Sequence, residues 1–247
     1  MTDDLFRSDA YLRECEARIL RVDEAGIVLD RTVFYPLGGG QAGDSGQLVL
    51  GDGRALAIAD TRKAKDAEGR PTNEIVHVPA PDQAEMLAAL SAGEAVTARI
   101  DWDRRHKLMR FHTATHLLCH LVPNPVDGCS ITPEYARLDF HMSDPLDKEA
   151  LSTGLARLVA AGHPLAVGAI TDAELDADPA LVKSMSVQPP RGTGTVRTIR
   201  IGEAEAIDFQ PCGGTHVANT REIGAVIVTK IEKKSAKTRR VVLGWAA

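Results

Sequence analysis

Between residues 15 and 101 the chain is a series of short β-like runs punctuated by Gly, Asp and Pro, falling at 17–22, 27–29, 47–50, 55–58, 74–78 and 96–100. Strands this short leave unpaired edges in an open sheet, so closure into a small β-barrel is the arrangement they specify. One stretch breaks the series. From Pro81 to Gly93, Met86, Leu87 and Leu90 recur at helical spacing, which predicts a short helix before the last strand.

Past Asp101 the periodicity lengthens. Asp103 is the expected N-cap of a helix running to about Val122, where Pro123 stops it, with a core stripe of Leu108, Phe111, Thr115, Leu118 and Val122. A loop is expected over 123–133, then a strand near 138–141, a helix over 147–161 and a strand over 165–171. The remainder is strand-like, at 196–201, 204–209, 225–231 and 239–244. Helices and strands segregate, which is the α+β pattern of helices packed on a largely antiparallel sheet. At 247 residues the chain has room for two domains of ordinary size, and the expected division is 1–101 for the barrel and 102–247 for the α+β domain. There is no internal repeat and no low-complexity tract.

The formal net charge of −5 argues against a broad basic surface that would coat nucleic acid, but two local patches run against it. Arg104, Arg105, His106, Lys107 and Arg110 precede or open the long helix; Lys230, Lys233, Lys234, Lys237, Arg239 and Arg240 lie near the C-terminus. Each patch is as consistent with a solvated face as with RNA contact. Cys15, Cys119, Cys129 and Cys212 have no repeating spacing, and the opening MTDDLFRSD is acidic. No apolar run approaches the roughly 18 residues of a spanning helix. A soluble, cytoplasmic protein without a membrane segment or a disulfide framework is expected.

The chemistry concentrates in two pairs. His112 and His116, in FHTATHLL, stand i,i+4 on the long helix, so their imidazoles leave one face and can converge on one ion. Cys212 and His216, in QPCGGTHV, form a second pair a hundred residues further along, with Gly213 and Gly214 allowing a tight turn between them. Together they offer the N/S donor set that suits zinc better than magnesium or calcium. Spacing does not distinguish a closed structural zinc from a catalytic one with an exchangeable position. A zinc peptidase would carry Glu directly after the first His; position 113 is Thr. A third feature, FYPLGGGQAGDSG, places Gly38, Gly39 and Gly40 before Gln41, and three glycines in succession imply positive φ or close approach of another backbone or a ligand. Gln41 and nearby Thr32 carry amide and hydroxyl groups able to bind a small polar substrate.

In order and spacing, FYPLGGGQAGD, HTATHLL and QPCGGTHVANTREIG, followed by the basic ending KIEKKSAKTRRVVL, resemble the AlaX family of alanyl-tRNA editing proteins and the matching editing domain of alanyl-tRNA synthetase. The glycine-rich segment is similar to that of the medium-length AlaX class, in which a barrel precedes the editing domain. The resemblance implies zinc held by His112, His116, Cys212 and His216. It implies a catalytic set of Thr32, Gln41, His116, Cys212 and His216, with Thr32 and Gln41 facing the aminoacyl group. Gly38, Gly39, Gly40, Arg239 and Arg240 are then expected around the aminoacyl end of the tRNA. The implied activity is hydrolysis of mischarged tRNA(Ala) in trans, Ser-tRNA(Ala) first and Gly-tRNA(Ala) second, with the tRNA acceptor end as partner and no obligate protein partner. Two alternatives stand beside it: a zinc-stabilised tRNA-binding module without turnover, and a deacylase for another mischarged tRNA, such as that of threonyl-tRNA synthetase.

Overall fold

The fold is described from a computed structural model over residues 2–189 and 194–246. The chain divides into two compact units, Met1–Gly38 with Ala42–Arg105, and Gly39–Gln41 with His106–Ala247.

The first unit is a closed barrel whose strands neighbour one another in the order Glu14–Asp23, Gly26–Leu29, Pro71–Pro79, Ala55–Lys65, Gly46–Leu50 and Ala95–Ile100. The strand pairings are antiparallel, and Ala95–Ile100 pairs back onto Glu14–Asp23 to close the ring. Alternate residues point inward: Ile27 and Leu29, Leu48 and Leu50, Leu56 and Ile58, and Val96, Ala98 and Ile100 build one apolar cluster with Phe34. This alternation is the period of two that a one-sided strand requires. The helix before the last strand is shorter than the sequence predicts, Ala84–Ala89, because Leu90 is already extended and Gly93 has φ +90.

A buried ion pair braces this unit. Asp44 accepts from Arg105 Nε at 3.0 Å and from the Tyr35 backbone N–H at 2.6 Å. Both side chains of the pair are 0% exposed. Arg105 donates further to the carbonyls of Val33 (2.6 Å) and Ala10 (3.0 Å), while Arg104 donates to the carbonyl of Gly43. The first basic patch of the sequence is therefore largely structural: its most buried member belongs to the interior.

The helix that follows spans Trp102–Leu121. Its N-terminus differs from expectation. Asp101 accepts from the Arg104 N–H at 3.1 Å and caps the helix, and Asp103 lies inside the first turn, where a carboxylate faces the positive end of the dipole. From Leu108 to Cys119 every residue except Arg110 is buried, so this is a central helix rather than an amphipathic surface one. Phe111 packs on Trp245 with ring centroids 4.1 Å apart, and Gly154 lets a second helix, Lys148–Ala161, approach Leu121. Asp147 caps that helix through the N–H groups of Glu149 and Ala150, and Gly162, at φ 71, ends it.

The second unit holds two antiparallel sheets. One runs Val226–Ser235, Thr238–Trp245, Tyr135–His141, Val126–Ile131; the other runs Leu165–Thr171, Thr195–Ile201, Asp208–Pro211. Two expectations are corrected here. The segment predicted as a loop contains the strand Val126–Ile131, whose polar and glycine middle, Asp127 to Ser130, hides any alternation, yet which pairs from Ala136↔Ile131 to Phe140↔Val126. The strand predicted at 204–209 starts later, at Asp208, because Gly202 at φ +94 opens a turn first. Among the described residues no helix is long and apolar enough to cross a membrane.

Candidate metal centre

His112, His116, Cys212 and His216 come together: one ligand atom of each lies within 4.8 Å of the others. The long helix supplies the first two from its central turns, and the turn after strand Asp208–Pro211 supplies the others. Cys212 Sγ is 3.4 Å from His112 Nε2 and 3.3 Å from His216 Nε2. A tetrahedral ion with metal–nitrogen bonds near 2.0 Å and a metal–sulfur bond near 2.3 Å has N···S edges of roughly 3.5 Å. The two edges from Cys212 to His112 and His216 match such an ion, and the four donors lie close enough together to surround one. The three imidazoles pack as a cluster, with ring centroids 4.2 to 5.3 Å apart.

Each imidazole is held from behind. His116 Nδ1 is 2.8 Å from Asp208 Oδ2, which also accepts from Gln210 Nε2 at 2.8 Å. His112 Nδ1 is 2.7 Å from Gln41 Oε1, and His216 Nδ1 is 3.2 Å from Thr113 Oγ1. Gln41 Oε1 also accepts from the Thr215 N–H at 3.2 Å, and Gln41 Nε2 donates to Thr215 Oγ1 at 2.9 Å. Such partners fix ring orientation and leave the Nε2 atoms facing the centre. Arg197 braces the cysteine turn by donating to the carbonyls of Cys212 (2.6 Å) and Gly214 (3.1 Å).

The electrostatics prepare a ligand. Burial resists ionisation of Cys212, but the charges of His112 and His216 and hydrogen bonds from His112 and His116 hold its thiol well below the ordinary value. Burial likewise opposes a proton on His116, yet Asp208 and Cys212 raise it to about 10. Cys129 is the contrast: burial, then the negative charge of Cys212, pushes its thiol up to about 12. Of these two neighbouring thiols, Cys212 is the one poised as thiolate, the form that binds metal.

The glycine-rich segment reaches the centre through its middle. Gly39 and Gly40 have φ 58 and 84, and a side chain on Gly40 would meet the Cys129 carbonyl, Cβ and Sγ at 2.9 Å. The Ile131 N–H donates to the Gly40 carbonyl at 2.8 Å, so Gly40 and Gln41 lie along strand Val126–Ile131 and Gln41, 0% exposed, is carried into the site. Gly214 is needed for approach rather than φ: a Cβ there would stand 2.1 Å from His112 Cε1.

Thr32 and Gly38 belong to the first unit. The Gly38 carbonyl accepts from the Tyr35 hydroxyl at 2.8 Å. Thr32 Oγ1 is 2.8 Å from His77 Nε2 and accepts from the Phe34 N–H at 3.0 Å. His77 Nδ1 sits 3.0 Å from the Ile27 carbonyl and must donate there, so Nε2 is an acceptor and the Thr32 proton is committed to it. Arg239 is 8% exposed and donates to the carbonyls of Ser143 and Ser235, while Arg240 makes a two-pronged contact with Asp139 at 2.7 and 2.8 Å. Lys233, Lys234 and Lys237 are exposed around the hairpin they share.

Sequence reasoning passes over Asp208, Gln210, Thr215 and Arg197. A signal for two of them exists: in DFQPC, Asp208, Gln210 and Cys212 alternate, which places all three on one face of a strand.

Residues 196–242 match the threonyl and alanyl tRNA synthetase second additional domain, and residues 9–104 match the class II (A) tRNA synthetases. The chain is thus of the kind associated with class II aminoacyl-tRNA synthetases. It is 32% identical over 245 residues to the alanyl-tRNA editing protein AlaX-M of Saccharolobus solfataricus and 33% identical over 249 residues to that of Methanosarcina barkeri, with 98% of each chain covered. It is also 35% identical to the alanine–tRNA ligase of Metallosphaera sedula, where the match covers 94% of this chain and 25% of the ligase. The chain belongs to the AlaX-M family of alanyl-tRNA editing proteins.

Proposed function

We propose that this protein is a zinc-dependent hydrolase that acts in trans on mischarged tRNA(Ala), removing serine first and glycine second. The observation that carries the proposal is the convergence of three buried imidazoles and the half-buried Cys212 sulfur within 4.8 Å of one another, each ring anchored through Nδ1. Family membership supplies the substrate class. A pocket built for alanine admits the smaller glycine and rejects serine poorly, since an added hydroxyl is worth only about 1–3 kcal/mol there, so a second, hydrolytic sieve is needed.

His112, His116, Cys212 and His216 would hold the zinc, which when bound acidifies water and polarises an ester carbonyl. The chain's own contribution is order. Asp208 holds His116, and Gln41 holds His112 and the Thr215 backbone in one hydrogen-bonded unit. We assign Gln41 an effect on the aminoacyl group through His112, because its carbonyl oxygen is occupied there. With its proton given to His77, Thr32 would have only an acceptor to offer a serine hydroxyl.

The test is hydrolysis of Ser-tRNA(Ala), Gly-tRNA(Ala) and Ala-tRNA(Ala) by zinc-loaded protein, by Cys212→Ala and by Thr32→Val. Loss of the serine and glycine esters, sparing of alanine, abolition in Cys212→Ala and a selective loss of serine turnover in Thr32→Val are expected. The closed set of four ligands favours a second reading, a metal that only stabilises a tRNA-binding module. Zinc-loaded protein that leaves every ester intact would establish that reading instead.

A further inference from the structure

Position 113, between the two helix histidines, is where a zinc peptidase carries its general base. Here it is Thr113, fully buried, and its hydroxyl has a complete set of neighbours. Oγ1 is 3.0 Å from the Met109 carbonyl, 3.2 Å from His216 Nδ1 and 3.3 Å from the Val217 backbone nitrogen. Of the two groups able to accept the single hydroxyl proton, the Met109 carbonyl one helical turn back is the nearer, at 3.0 Å against 3.2 Å for His216 Nδ1, and takes it. The two lone pairs then accept from the Val217 N–H and from His216 Nδ1. With that placement His216 carries its proton on Nδ1 and its free pair on Nε2, the atom 3.3 Å from Cys212 Sγ.

We propose that Thr113 is a positioning residue that locks His216 in its Nδ1–H tautomer and so sets the affinity of the metal centre. The inference rests on the reading of this cluster as a metal site. It distinguishes Thr113 from the partners of the other two rings. His116 has a carboxylate behind it and His112 an amide oxygen, both natural acceptors; the hydroxyl behind His216 accepts only because Met109 takes its proton. His216 therefore depends on a hydrogen-bond relay through the helix backbone, and a residue of the same shape without the hydroxyl breaks it. In Thr113→Val, Nδ1–H has no acceptor in a buried place, the Nε2–H tautomer gains population, and its proton points where the metal must bind.

The experiment uses the full chain as parent, Thr113→Val and Thr113→Ser. Zinc affinity is measured by competition with a chromophoric chelator, and the tautomers of the histidines in metal-free protein by long-range ¹H–¹⁵N NMR of the imidazole rings. The valine variant should bind zinc at least about tenfold more weakly, in the range that loss of such an outer partner produces, with His216 shifted toward Nε2–H. The serine variant should restore both within about threefold, since it keeps the hydroxyl. A valine variant that binds zinc as the parent does, with His216 still Nδ1–H, would overturn the proposal. If the parent itself takes up no zinc, the metal reading fails, and the tautomer of His216 in the two variants still decides the role of Thr113. Should the valine variant fold poorly, Thr113→Ala carries the same expectation with less crowding.

Discussion

Asp44 closes the glycine-rich motif, and its exchange for Asn tests whether that motif is partly a structural device. The carboxylate and Arg105 are both 0% exposed, and an asparagine side chain at this position would match the volume while removing the charge. Removing one partner of a buried pair leaves the other charge desolvated, at about 3–5 kcal/mol. Two features of this site favour the lower end: the Val33 and Ala10 carbonyls still accept from Arg105, and an amide oxygen can still accept from the Tyr35 N–H. We expect a loss of about 3 kcal/mol, which for a chain of this size lowers the thermal midpoint by about 6–12 °C. Near-ultraviolet circular dichroism and urea unfolding of Asp44→Asn, Arg105→Met and the double variant would measure it. The double variant should lose less than the sum of the singles, because each single strands a polar group that the double removes. A midpoint within about 3 °C of the parent for Asp44→Asn would refute the reasoning.

His77 should make stability depend on pH. Burial depresses it from 6.5 to about 4, so between those values the unfolded chain binds a proton that the folded chain does not. Stability is then flat above about pH 6.5 and falls on acidification toward pH 4 by about 3 kcal/mol at most. His77→Gln should flatten that slope in urea titrations at each pH, and an unchanged slope would remove His77 as its source. Gly214→Ala should displace His112, whose Cε1 lies 2.1 Å from the added carbon, and lower zinc uptake in a chelator assay while leaving the fold intact; unaltered uptake would show that the turn has slack.

Much of this is legible in the sequence because the relevant signals are local. The long helix shows in its length and its Pro123 stop, while the expected stripe of Leu108, Phe111, Thr115, Leu118 and Val122 is buried as part of a helix covered on nearly every side. The cluster of His112, His116, Cys212 and His216 shows because i,i+4 histidines and a Cys-Gly-Gly-Thr-His turn are short patterns. What escapes depends on partners distant in sequence or on the choice between two equal local options. Asp101 and Asp103 are the same residue type two positions apart, and only the hydrogen bond from Arg104 selects the first. Arg105 looks like a surface charge until Asp44, sixty-one positions away, takes it inside. The strand Val126–Ile131 has no alternation of its own and exists by pairing with Tyr135–His141. The helix Asp172–Ala177 is the exception: Thr171 and Glu174 form a capping box, a local signature that the sequence carries and the expectation of a strand alone passes over.

The segment FYPLGGGQAGD is the most specific sequence feature, and its residues divide between the two units. Phe34 joins the barrel core, Tyr35 and Asp44 engage Arg105 and its neighbours, and all three belong to the first unit. Gly39, Gly40 and Gln41 belong to the second, where the glycines allow this segment to lie against Cys129 and Gln41 to hold His112. Such a division explains why glycine is required in the middle and bulky or charged residues at the ends: the middle must pass close to another backbone at positive φ, while the ends must fill and brace a core. It follows that loss of activity in a variant of this motif has two physical origins that one assay cannot separate. A change at Asp44 acts through unfolding of the first unit and should be mirrored by a lowered midpoint at unchanged zinc affinity. A change at Gln41 acts through His112 and should weaken zinc with little change in the barrel. Measuring both quantities on both variants assigns each half of the motif to its own task, and equal effects on both quantities in both variants would mean that the halves act as one.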